Sequence, residues 1–82
     1  METKCAKVYV DVEAVFRTGG IILPRAVRWE DGRWYGVDRV LECRRAPSLR
    51  AGGTGLRYTV RIGRRETFLF LEENRWFVER RV

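Results

Sequence analysis

Between Leu56 and Ile62 the chain alternates strictly: Leu56, Tyr58, Val60 and Ile62 fall on one parity, Arg57, Thr59 and Arg61 on the other. A period of two belongs to a strand with one buried and one wet face. Such a strand cannot hide its apolar side alone, so the run demands a sheet. The rest of the chain agrees. Val8, Val10 and Val12 alternate with Tyr9, Asp11 and Glu13, and the pattern continues to Phe16, predicting a strand over 7–16 rich in β-branched residues. Thr18-Gly19-Gly20 ends it. No comparable helical periodicity appears.

A second strand is expected from Ile21 or Arg25 to Glu30, with Pro24 at a strand start, an edge or a bulge because it lacks an N–H. Asp31-Gly32 predicts a two-residue type I′ turn. That register would set Glu30 opposite Arg33 and Trp29 opposite Trp34. The third strand, Arg33 to Val37, continues or bends at Gly36 into Val40–Cys43. Ala46 to Gly55, with Pro47 and three glycines, predicts a long loop. After Leu56–Ile62, Gly63-Arg64 turns the chain, Glu66–Leu71 forms a strand, Glu73-Asn74 turns it again and Arg75–Arg80 closes the series. A two-residue final turn would place Leu71 opposite Trp76 and Phe70 opposite Phe77.

These elements predict an all-β fold in one domain over 1–82: a five- to six-stranded antiparallel meander curling into a small SH3-like or OB-like barrel, a closure that hides strand edges. A domain of 82 residues needs large side chains to build a core, and three Trp, three Tyr and four Phe supply them. The last hairpin is apolar on both faces. Leu69, Leu71, Trp76 and Val78 can face the core, and Phe68, Phe70 and Phe77 then need cover from the first strand, the long loop or a second copy.

Chemistry has little to work with. There is no His, the commonest general base near neutral pH. Ser48, the only serine, lies in the loop. Asp11 and Glu13 share a strand face, which reads as solvated; Glu72 and Glu73 read as turn residues. No HExxH, CxxC or acidic calcium loop occurs. Cys5 and Cys43, 38 residues apart, read as half-buried thiols. The expectation is a protein without enzymatic activity, metal or cofactor. With no run of 18 apolar residues and no apolar signal segment at Met1–Cys5, it is also expected to be cytoplasmic rather than membrane-bound.

Charge supplies the functional lead. The chain carries +6, and the stretch from Arg44 to Arg65 alone holds +7: Arg44, Arg45, Arg50, Arg57, Arg61, Arg64 and Arg65, with no acid. An arginine stripe on a β-surface can track a phosphate backbone, and aromatic platforms let small barrels hold single-stranded nucleic acid. Trp34, Tyr35, Phe68 and Phe77 are the candidate platforms. Equally, the stripe could be a solvated face paired with Glu42, Glu66 or Glu79. Gly52-Gly53-Thr54-Gly55 could nest an anion, or be merely a sterically easy loop. The alternative function is a protein-interaction or accessory module, including a homodimer formed through the C-terminal aromatic hairpin.

The stretch Val27-Arg28-Trp29-Glu30-Asp31-Gly32-Arg33-Trp34-Tyr35-Gly36-Val37-Asp38-Arg39-Val40-Leu41, with the closing Arg75-Trp76-Phe77-Val78, resembles small bacterial SH3-like β-barrel domains of unknown function. The resemblance spans about two-thirds of the chain and implies the barrel. It implies no functional residues.

Overall fold

The computed structural model describes residues 5–45 and 55–81. Those residues form eight strands and no helix: β1 (Cys5–Tyr9), β2 (Asp11–Phe16), β3 (Ile22–Arg28), β4 (Trp34–Gly36), β5 (Arg39–Arg45), β6 (Leu56–Ile62), β7 (Arg65–Glu72) and β8 (Arg75–Arg81). All pairings are antiparallel. The strands divide into a five-stranded sheet, β1-β8-β7-β6-β5, and a three-stranded sheet, β2-β3-β4. Among the described residues no helix is long and apolar enough to cross a membrane.

The expectation of one continuous meander needs adjustment at two places. The run over 7–16 is two strands, broken at Val10, whose N–H donates to the Trp76 carbonyl at 3.1 Å before the chain leaves for β3. The second break falls at Val37–Asp38. The Val37 N–H donates to the Arg25 carbonyl (2.8 Å) in the small sheet, and the next amide, Asp38, donates to the Arg61 carbonyl (2.9 Å) in the large one. Consecutive amides therefore serve different sheets. Side-chain alternation persists through such a corner, so the pattern shows the strand but not the change of neighbour.

The two sheets meet over Val27 from β3, Tyr58 and Val60 from β6, Leu69 and Leu71 from β7, and Val78 from β8. Burying a large apolar side chain contributes about 1.5–3 kcal/mol. Val12, Ile22, Val40, Ile62 and Trp76 pack at the margins. A buried polar contact joins the sheets, the Tyr58 hydroxyl donating to the Ile22 carbonyl at 2.5 Å, and an exposed pair, Arg80 with Glu30, joins them at the surface.

The turns divide between expectation and correction. Glu73 and Asn74 both have positive φ (50° and 65°), and the register sets Leu71 opposite Trp76 and Phe70 opposite Phe77, as alternation predicts. At Asp31-Gly32 the loop is longer than expected. Only Gly32 has positive φ (80°); the Gly32 N–H donates to the Trp29 carbonyl and the Trp29 N–H to the Arg33 carbonyl, both at 2.9 Å. Glu30, Asp31 and Gly32 thus form a three-residue loop of the type that ends on a left-handed residue. Trp34 faces Arg28, not Trp29, and Glu30 pairs with Arg80, not Arg33. The Asp31 carboxylate explains the change: it accepts from the Arg33 N–H at 2.9 Å and from the Tyr35 hydroxyl at 2.7 Å, fixing the loop from inside.

Candidate nucleic-acid interface

The face of the large sheet turned away from the core carries the arginines. Its rows follow from the register. One runs Arg44–Arg57–Phe70–Phe77–Tyr9 across all five strands, the next Glu42–Thr59–Phe68, the third Arg39–Arg61–Glu66. Arg39 and Arg44 are five residues apart, and plain alternation would put them on opposite faces. The irregularity between Val40 and Glu42 adds one residue to β5 and restores the parity. Four guanidinium groups, Arg39, Arg44, Arg57 and Arg61, therefore share one face of the β5–β6 pair.

Two of the four have acidic partners. Arg61 lies 3.1 Å from Glu66 and Arg44 lies 3.6 Å from Glu42, both exposed pairs. Exposed pairs of this kind contribute little. Arg57 instead lies over the Phe68 ring, its Cζ 4.5 Å from the centroid, and its Nε is buried with no hydrogen-bond partner among the described residues. Arg75 covers Tyr9 in the same manner at 3.7 Å, and the Lys7 ammonium lies 4.6 Å from the centre of Phe77 and 3.1 Å from Glu72.

The seven arginines singled out by charge density do not gather on one surface. Arg44, Arg57 and Arg61 share the outer face. Arg45 lies opposite Leu56, on the other parity of β5, and lines a separate hollow beside Leu71 and Asn74. Arg64 and Arg65 stand at the β6–β7 turn, at the mouth of a cleft between the sheets. Arg50 and Gly52-Gly53-Thr54 lie outside the described residues. Arg39, just before the window scanned for charge, belongs to the face; only the bulge at Leu41 reveals it.

The aromatic candidates separate as well. Phe68 is 48% exposed on the arginine face. Trp34 and Tyr35 are on the small sheet, their side chains on opposite faces, and Tyr35 lines the cleft. Phe77 is 0% exposed, stacked on Phe70 at 5.1 Å and met edge-on by Tyr9 at 5.7 Å, so it offers no ring face to a ligand. The first strand thus supplies part of the cover that the second apolar face required. Cys5 is half-buried, but Cys43 is exposed rather than half-buried, and both are free thiols. Burial, and secondarily contact with Cys43, push the Tyr58 phenol up to about 12. The Tyr35 hydroxyl bonded to Asp31 holds that carboxyl below its usual range and raises the Tyr35 phenol in turn.

A scan against protein-family models finds no matching family, and searches of curated proteins and of solved structures find no match.

Proposed function

We propose that this protein is a non-catalytic binder of single-stranded nucleic acid, and that the outer face of β5, β6 and β7 is its interface. One observation carries the reading: Arg44 stands directly opposite Arg57, and Arg39 directly opposite Arg61, on the same face. Like charges in that position destabilise a sheet by roughly 0.2–1 kcal/mol per pair. A phosphate backbone laid along β6 would turn both repulsions into attraction. The span from Arg57 to Arg61 is about 13 Å at a strand's rise per residue. Phe68, exposed between the two arginine rows, offers a surface on which a base can stack. We further read the two sheets as one barrel-like wall of the SH3-like or OB-like kind, working in the cytoplasm. The chain's passage from sheet to sheet at Val10 and again at Val37–Asp38 supports that reading. The alternative, a protein-interaction module or a homodimer through the last hairpin, has less support, because Phe70 and Phe77 are buried within one chain and Phe68 is the one ring of the three left exposed.

The test is a titration of fluorescent oligothymidylate and oligouridylate at several salt concentrations. Two to four phosphate contacts predict that log affinity falls with log salt at a slope of about −1.4 to −2.8. Replacing Arg44 and Arg61 together by Gln should weaken binding and flatten the slope, while Arg17→Gln, on the β2–β3 loop, should change neither. No binding at low salt, or a slope indifferent to the double change, overturns the reading.

A further inference from the structure

The second concave surface lies between the sheets, on the side where the β6–β7 turn approaches β3 and β4. It is an open cleft of about 750 Å³, within the range of small-ligand sites. Its floor is apolar, from Val27 and Ile62. One wall is aromatic: Trp29 and Tyr35 are 37% and 36% exposed, and the Tyr35 ring is held by the hydrogen bond from its hydroxyl to Asp31. Arg64 and Arg65 form the opposite rim. Two carboxylates also reach the cleft, and both are engaged. Asp38 accepts the Gly63 N–H at 2.6 Å, and Glu66 holds Arg61. Among the described residues neither Arg64 nor Arg65 has an ion-pair partner. Among the described residues the two rim guanidinium groups therefore stand open to a ligand.

We propose that this cleft is a nucleotide site, taking a flat heteroaromatic base against Trp29 and Tyr35 and the attached phosphate on Arg64 and Arg65. The wall matches the base, whose π-face stacks on aromatic rings whatever its sequence identity. The rim matches the phosphate, because a guanidinium fork holds its oxygens in pairs. The nucleotide can come from two sources, a free mononucleotide or the end of a strand. The second source rests on the proposed interface, which the cleft adjoins: Arg61 and Glu66 lie on the outer face, and Glu66 also borders the cleft. A strand tracking β6 past Arg61 meets the Gly63-Arg64 turn and can fold its last base over it.

The experiment follows tryptophan fluorescence of the full chain with AMP, UMP, adenosine and inorganic phosphate. It also compares linear with circular oligothymidylate of equal length. Saturable binding of AMP or UMP, weakened about tenfold or more by Trp29→Ala and reduced to the adenosine level by Arg64→Gln with Arg65→Gln, supports a free-nucleotide site. Failure of the mononucleotides to saturate, with linear DNA preferred about tenfold or more over circular and the preference lost in Trp29→Ala, supports a strand-end site. Trp29→Phe should keep most of either effect. Its retained thermal stability separates lost stacking from a damaged fold. If mononucleotides fail to saturate, and linear and circular strands bind alike with or without Trp29, the proposal is overturned. In that outcome salt-dependent oligonucleotide binding would leave the outer-face interface standing, and its loss would remove that reading too.

Discussion

Replacing Tyr58 by Phe removes one oxygen and tests how the two sheets are held together. Tyr58 is 1% exposed, and its hydroxyl reaches from β6 to the Ile22 carbonyl of β3. Without it the carbonyl loses its side-chain donor, at a cost of about 1–2 kcal/mol. In a domain this small that lowers Tm by about 5–15 °C. The same oxygen makes stability depend on alkali. The phenol titrates near its ordinary value of 10 in the unfolded chain and at about 12 in the folded one. Below pH 10 both states keep the proton, and the stabilisation is complete. Between pH 10 and 12 the unfolded chain releases its proton first, so stability falls by up to about 1.4 kcal/mol per pH unit, on the order of 2 kcal/mol by pH 12. The Phe variant has no such loss, and every other group is common to both proteins, so its contribution cancels. The wild-type advantage should therefore hold to pH 10, shrink above it and vanish near roughly pH 11. Urea unfolding followed by tryptophan fluorescence at intervals from pH 7 to 12 measures the gap directly. A gap that stays constant over that range, or a variant as stable as wild type at pH 7, would refute the argument.

Phe77→Ala should destabilise by about 3–5 kcal/mol, because the ring is fully enclosed and stacked on Phe70; a thermal melt that moves by only a few degrees would contradict the packing. Gly55→Ala is expected to cost about 1–3 kcal/mol. A Cβ there would meet Glu72 Cγ at 2.4 Å and the Leu71 carbonyl at 2.7 Å, and a neutral result in the same melts would mean that the backbone has room to shift.

Strand positions were readable because parity is local: each residue declares its face by its own polarity. Leu56–Ile62 and the last hairpin needed nothing else, and there the register follows the pattern to the residue. What parity does not encode is the partner of a backbone amide. Val10 and Val37 look like any interior strand residue, yet the sheets change there. Loop length at Asp31-Gly32 escaped for a different reason. Asp tolerates the left-handed conformation that a two-residue loop needs, but its carboxylate gains more by accepting from Arg33 and Tyr35. That choice slides Trp34 by one position and dissolves the expected tryptophan pair. Charge density along the chain does not show which arginines share a face, because it counts neighbours in sequence. Arg64 and Arg65 cross a turn, Arg45 takes the other parity, and Arg39 rejoins the face only through the extra residue at Leu41.

Arg57 is where the fold and the proposed function pull against each other. It stands opposite Arg44, its guanidinium lies over Phe68, and its Nε is buried without an acceptor among the described residues. An unsatisfied buried donor costs about 1–3 kcal/mol, and the opposing charge adds to that. A chain selected for stability alone could relieve both with a carboxylate at position 44 or 59, and this one has Arg and Thr there. The contact with Phe68 offsets only part of the cost, since a cation–π pair at a partly exposed site contributes about 0.5–1 kcal/mol. On the function proposed above, a phosphate backbone along the outer face of β6 would relieve the repulsion between Arg44 and Arg57, while the enclosed Nε remains a cost carried by the fold itself.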